Sequence, residues 1–201
     1  MEKIYQKTLN KTIKFNGIGL HSGEISNVII CPGTTNQGIV FKRTDLNQNN
    51  TITANYKNVS SAKLCTTLEN QYGVKVSTVE HLLAAFYIAG IDNAIIEIDK
   101  EEVPIMDGSA KFFLEAIKKI EIKQSNKKIK YLKILDKVEL IDGKRKISIE
   151  PCENLKVDFQ LNYQNKIINN QRNVINFQED NLSEVAESRT FCLYEDIEKI
   201  K

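Results

Sequence analysis

The sequence predicts an α+β protein of two related α/β domains, and three features point that way. A strand, Gly-containing turn, strand, Pro plan occurs twice, at Thr12–Pro32 and at Lys137–Pro151. Helical patterns over Ser77–Ala89 and Ser109–Ile120 are interleaved with strand-like runs in the first half. The polar stretch Glu121–Lys130, EIKQSNKKIK, separates the halves and has the composition of a linker. The expected division is therefore a first domain over 1–122, a linker over 123–130 and a second domain over 131–201.

In the first half, IKFNGIGLHSGEISNVIICP reads as a hairpin whose turn is rich in glycine (Gly17, Gly19, Gly23) and carries His21. Gly38–Arg43 and Asn93–Ile98 read as strands, the second with the continuous apolar character of a buried one. The helix over Ser109–Ile120 has Asp107 and Ser109 as capping candidates, an apolar stripe of Phe113, Leu114 and Ile117, and lysines in its last turn. In the second half Asp142-Gly143 is a strong hairpin signal, because glycine accepts positive φ without steric cost. Lys156–Tyr163 alternates, with Val157, Phe159 and Leu161 on one face. Val174–Phe177 reads as a further strand, and short helices are expected near Ser183–Glu187 and over Leu193–Lys201. The last pattern runs into residue 201 with no cap, Gly or Pro, which points to truncation.

Composition narrows the function classes. The chain has 201 residues, 41% apolar and 27% charged, as expected of a soluble protein that buries a core without disulfides. A net charge of +2 gives no footprint for nucleic acid, and the lysines of Lys118–Lys133 read as solvated helix end and linker. The longest apolar run, Leu82–Ile91, is far short of the ~20 residues that span a membrane, and no signal peptide opens the chain. Cys31, Cys65, Cys152 and Cys192 are scattered without a CxxC pair, the pattern of free thiols in a reducing cytoplasm.

The chemistry concentrates in STVEHLLAAFYIAG, Ser77–Gly90. Ser77 and Glu80 fit a capping box, so Glu80 reads equally as a cap or as a catalytic carboxylate. Val79, Leu82, Leu83, Phe86 and Ala89 share one face, while His81 lies opposite with Ala84, Ala85 and Ile88, so the helix is expected to be buried all round. His81 reads either as a hydrogen-bonded core histidine or as a ligand. The positive end of the helix dipole disfavours imidazolium and favours ionised Glu80, which suits a neutral metal ligand beside a general base. A catalytic metal needs three protein ligands. HExxH is absent, HxxEH would need a histidine where Ser77 stands, and His21 is the sole other histidine.

The run of motifs resembles the UDP-3-O-acyl-N-acetylglucosamine deacetylases, zinc amidases of lipid A biosynthesis in Gram-negative bacteria. GIGLHSG (Gly17–Gly23), FKRTDL (Phe41–Leu46), LCTTL (Leu64–Leu68), STVEHLLAA (Ser77–Ala85), GIDNAIIEI (Gly90–Ile98), VPIMDGSA (Val103–Ala110) and SRTF (Ser188–Phe191) stand in family order. The resemblance implies two related two-layer α/β sandwich domains, each a sheet with a pair of helices, the second incomplete here. It implies that His81 binds Zn2+, that Glu80 is the general base and that Thr190 helps hold the oxyanion. Phe191 would pack near the sugar, and Cys65 would lie near the metal pocket. The implied substrate is UDP-3-O-acyl-N-acetylglucosamine, cleaved to acetate and the free amine. Asp107-Gly108 reads as a turn and cap, and His21 as part of a hairpin.

The chain departs from the family pattern in one respect. The H-K-x-x-D motif that carries the remaining zinc ligands, and a further histidine, are absent. The resemblance thus implies a C-terminally truncated deacetylase without activity of its own. The alternative is a non-catalytic remnant, or the N-terminal half of a split enzyme that needs a separate C-terminal fragment.

Overall fold

The computed structural model describes residues 4–194. It is α+β, with strands predominating. The strands of the first half are β1 (Tyr5–Leu9), β2 (Ile13–Ile18), β3 (Ile25–Pro32), β4 (Ile39–Arg43), β5 (Thr51–Thr53), β6 (Val59–Ser61), β7 (Thr67–Glu69) and β8 (Lys75–Val76). Then come α1 (Glu80–Ala89), β9 (Ala94–Ile98), α2 (Lys111–Lys118) and β10 (Ile122–Lys128). The second half adds β11 (Val138–Asp142), β12 (Arg145–Ile149), β13 (Lys156–Asn162), β14 (Asn170–Asn176) and α3 (Leu182–Glu187). The helix expected over Leu193–Lys201 lies, beyond its first two residues, outside the described residues.

The chain forms two compact units. One comprises Met1–Ile129 with Ser183–Lys201, the other Lys130–Leu182. The first holds a five-stranded sheet of order β2-β3-β9-β4-β5, a three-stranded sheet β6-β7-β8 and the pair β1-β10. β2 and β3 form the expected hairpin, with Ile13 opposite Ile30 and Ile18 opposite Ile25. β9 pairs antiparallel to β3 and parallel to β4. Parallel neighbours need a long crossover, and here the crossover ends in α1. Val28, Ile30, Phe41, Ile96 and Ile98 from the sheet join Leu82 and Phe86 of α1 and Phe113, Leu114 and Ile117 of α2 in one buried cluster. Phe15 meets Phe113 edge to face at 4.9 Å between ring centres.

The Glu121–Lys130 stretch is not a bare linker: its residues Ile122–Lys128 are β10, paired antiparallel with β1. Its side chains are mostly exposed, so the pairing is made by backbone groups and leaves no apolar signature. α2 carries its apolar stripe inward as expected. The Asp107 carboxylate accepts from the Ser109 N–H and hydroxyl, and the Ser109 hydroxyl accepts from the Lys111 N–H. α1 ends at Gly90, whose φ of 70° closes the helix in the left-handed conformation.

In the second unit β11 and β12 form the expected hairpin through Asp142-Gly143, and β13 pairs with β14 over Lys156–Asn162. No residue of 130–182 is buried. Val138, Leu140, Ile147 and Ile149 share one face of the first hairpin, and all are exposed. The four cysteines are free thiols. No helix among the described residues is long and apolar enough to cross a membrane.

Candidate functional site

The start of α1 differs from the expected capping box, and the difference changes what Glu80 can do. Ser77 lies outside the helix. Its N–H donates to the Glu101 carbonyl at 2.8 Å and its carbonyl accepts from Val103 N–H at 3.1 Å, so it is paired as a strand residue. Thr78 then turns the chain with φ of 55°, a left-handed value rare for a β-branched residue. Val79 occupies the cap position without a side-chain cap.

Glu80, released from capping, reaches Thr66 instead: its Oε2 accepts from the Thr66 N–H at 3.0 Å. Val79 N–H donates to the Thr66 carbonyl at 3.5 Å, so Thr66 meets the helix start through both backbone groups. Among the described residues no donor serves Glu80 Oε1. Cys65, half-buried, is thereby carried to the same place, with Sγ 3.9 Å from Thr67 Oγ1.

His81 is half-buried, and among the described residues no side chain or backbone group hydrogen bonds to its imidazole. The helix is not buried all round: Ala84 and Tyr87 on this side are exposed, while Leu82, Ala85 and Phe86 are buried. Alanine and tyrosine lie where the core cluster does not reach, so the apolar pattern overstated burial.

Thr190 and Phe191 take their place from Asp107-Gly108. Thr190 N–H donates to the Gly108 carbonyl at 2.8 Å, and Arg189 lies 3.4 Å from the Asp107 carboxylate. Gly108 has φ of 81°, and a Cβ there would stand 3.5 Å from Thr190 Cγ2. The Ser109 hydroxyl bond, with help from the Ser109 N–H and Arg189, holds the Asp107 carboxyl below its ordinary range. Asp107-Gly108 is a turn, as read, and also a support for the SRTF segment, but not the cap of α2, whose cap position is Ala110 without a side-chain cap. Thr190 and Phe191 are exposed.

One residue of this region carried no sequence signal. Glu102 is 2% exposed, and its carboxylate accepts from His21 N–H at 3.0 Å, Ser22 N–H at 2.7 Å and the Thr78 hydroxyl at 2.9 Å. Burial raises its pKa, but the His21 and Ser22 N–H groups and the Ser22 and Thr78 hydroxyls outweigh that and hold it below the ordinary glutamate value. His21 itself is exposed.

A zinc ion is what the resemblance implies, yet no group of three or more His, Cys, Asp or Glu among the described residues could hold a metal. The donors present near α1 do not fit a zinc site, since His81 is one ligand where three are needed.

The fold and this helix start define a protein of the class that presents a carboxylate and a histidine side by side at a helix N-terminus. The chain belongs to the LpxC family, UDP-3-O-acyl N-acetylglycosamine deacetylase, whose model matches residues 6–201. It is 39% identical over 201 residues to the UDP-3-O-acyl-N-acetylglucosamine deacetylase of Shewanella frigidimarina, a match covering 98% of this chain and 66% of that protein. The enzyme of the same name from Geobacter sp. strain M21 is 40% identical over 199 residues, covering 98% of this chain and 65% of the relative. The chain thus spans about two thirds of the length of these curated relatives.

Proposed function

We propose that this chain supplies the Glu80 part of a hydrolytic deacetylase that cleaves the N-acetyl group of UDP-3-O-acyl-N-acetylglucosamine in lipid A biosynthesis. The observation that carries the reading is the release of Glu80 from capping. One carboxylate oxygen is fixed by the Thr66 N–H and the other has no donor among the described residues. A half-buried carboxylate at a helix start, with one oxygen fixed and the other without a donor among the described residues, is placed to take a proton from water. In the reaction, water oxygen bonds to the acetyl carbon while one water proton passes to Glu80. The C–N bond then breaks, the proton is delivered to the departing sugar nitrogen, and the remaining water-derived proton is lost to solvent, leaving acetate and a free amine. Thr190 would donate to the oxyanion formed on the way. Phe191 would pack on the sugar, and Cys65 would border the pocket.

His81, beside the base and without a hydrogen-bonding partner for its imidazole among the described residues, is proposed as one metal ligand. These residues do not complete a zinc site, so the steps assigned to this chain are those of its own groups. The proposal extends to the architecture, two related two-layer sandwiches, and to a cytoplasmic location in which the free thiols stay reduced.

The second reading, half of a split enzyme, is favoured by a separate observation: no residue of 130–182 is buried, which leaves two hairpins with uncovered apolar side chains. Acetate release from the UDP-sugar tests both. The assay compares the chain alone, the chain mixed with the part of the Shewanella frigidimarina relative outside the matched span, and a fusion of the two. The proposed function expects activity in the fusion that Glu80→Gln abolishes. A fusion that binds zinc and the UDP-sugar yet releases no acetate would overturn it. Activity in the mixture supports the split enzyme, whereas two pieces that fail to associate exclude it.

A further inference from the structure

The structure assigns Glu102 a positioning role: its buried carboxylate fixes the strained Thr78 and so the entry of the helix that presents Glu80 and His81, and clamps the His21 turn to the same point. This deepens the functional reading above and rests on it for the importance of Glu80 and His81.

The backbone makes the first part of the case. Residues 101–103 run beside Ser77, with Ser77 N–H bonded to the Glu101 carbonyl and Val103 N–H to the Ser77 carbonyl. The Glu102 carbonyl accepts from the buried Ser26 hydroxyl at 2.8 Å, which ties this strand-like stretch to β3. Glu102 is therefore held by its own main chain before its side chain does anything.

The side chain makes the second. A carboxylate that is 2% exposed normally needs a cation, yet no ion pair reaches Glu102 among the described residues. Its charge is met by aimed donors: His21 N–H, Ser22 N–H and the Thr78 hydroxyl. The turn is shaped to reach it. At Gly19 a Cβ would stand 2.5 Å from Glu102 Oε2 and 2.3 Å from Ser22 Oγ, so the loop packs against the carboxylate more closely than any side chain permits.

The third part is Thr78. A threonine at φ of 55° is held there against its intrinsic preference, and such residues persist where surrounding contacts over-determine them. The contact here is the hydroxyl bond to Glu102. Two residues further on stands Glu80, and the first helical bond after the turn runs from Leu83 N–H to the Val79 carbonyl at 3.0 Å. Loss of the Thr78 bond lets the turn relax and carries Val79, Glu80 and His81 with it.

The experiment uses the 201-residue chain and two readouts independent of catalysis: amide hydrogen exchange, and the imidazole resonances of its two histidines. Thr78→Val removes the hydroxyl and keeps the branched shape. Exchange at the Leu83 amide should speed roughly ten- to a hundredfold, the size of one hydrogen bond to a charged group. The β9 amides should stay as protected as before, and the His81 resonance should move. Thr78→Ser, which keeps the hydroxyl, should restore both. Glu102→Gln should move the His21 and His81 resonances together; Thr78→Val carries the test if that variant does not fold. The inference is overturned if Thr78→Val speeds exchange equally throughout and leaves the His81 resonance in place, because Glu102 would then be a stabilising contact only. The deacetylase reading fails separately, through a zinc- and substrate-bound fusion that releases no acetate, and that result leaves these signals untouched.

Discussion

The Glu80 carboxylate accepts its hydrogen bond from Thr66, fourteen residues back along the chain, at 3.0 Å. Glu80→Gln keeps a carbonyl oxygen that can accept from the same N–H. It loses the charge at the helix N-terminus, worth about 0.3–1 kcal/mol. Glu80→Ala loses the acceptor too and leaves a half-buried N–H unpaired, which costs about 1–3 kcal/mol. Urea unfolding of the two variants should rank them in that order. Equal losses would show that Thr66 is held by something other than this bond.

Acid should loosen the helix entry. Glu102 is held below the ordinary glutamate value of 4.5 in the folded state. The unfolded chain therefore takes up its proton first as pH falls. The stability this group confers is complete above the unfolded pKa and is lost as pH falls through the folded one. Asp45, Asp107, Glu139 and Asp158 are lowered as well and Asp92 is raised, so other carboxylates also contribute to the pH dependence. The difference between wild type and Glu102→Gln isolates the one group. That gap in urea midpoint should be widest above pH 4.5 and narrow below it; a gap constant with pH would refute the assignment.

What could be seen in the sequence, and what could not, follows from how each feature is encoded. The β2–β3 hairpin, the buried strand β9 and the stripe on α2 are written in local apolar patterning, and they stand where that patterning puts them. The start of α1 is misplaced because Ser77-x-x-Glu80 is a true capping-box pattern, and a left-handed threonine cannot be foreseen from side-chain type. β10 was hidden because an exposed two-stranded pair needs only backbone groups. Glu102 had no signal, since Glu101-Glu102 before Val-Pro looks like solvated loop. The meeting of Thr190 with Gly108 joins residues 82 positions apart, as Arg189 joins Asp107, and no local pattern encodes it. The motif resemblance marked both segments without saying that one supports the other.

Gly19→Ala should be costly although its backbone is not left-handed. The new methyl would stand 2.3 Å from Ser22 Oγ and 2.5 Å from Glu102 Oε2. Ser22 can turn aside, but the Glu102 carboxylate is fixed by its donors, so overpacking of about 1–3 kcal/mol is expected. At Gly23 a Cβ meets nothing within 4 Å and the φ of 68° alone resists it. That cost is about 1–2 kcal/mol and leaves the Glu102 contacts intact. Histidine resonances distinguish the two cases: Gly19→Ala should displace the His21 signal and Gly23→Ala should leave the His81 signal unmoved.

Apolar side chains should differ sharply in worth between the two units. Phe113 is wholly buried, lies edge to face with Phe15 and belongs to the cluster that joins α2 to the sheet. Phe113→Ala removes that contact and leaves a cavity, at a cost of about 3–5 kcal/mol. Leu140 sits opposite Ile147 in the β11–β12 hairpin and is 67% exposed. Burial stabilises only in proportion to the area withdrawn from water. Leu140→Ser should therefore change stability by less than about 0.5 kcal/mol, the usual range for surface positions. Denaturant curves followed by a probe in each unit give the comparison. If Leu140→Ser destabilises the isolated chain as much as Phe113→Ala does, the hairpin face is covered in solution, by a second copy or by a segment folded onto it, and sedimentation of the wild-type chain would then show which.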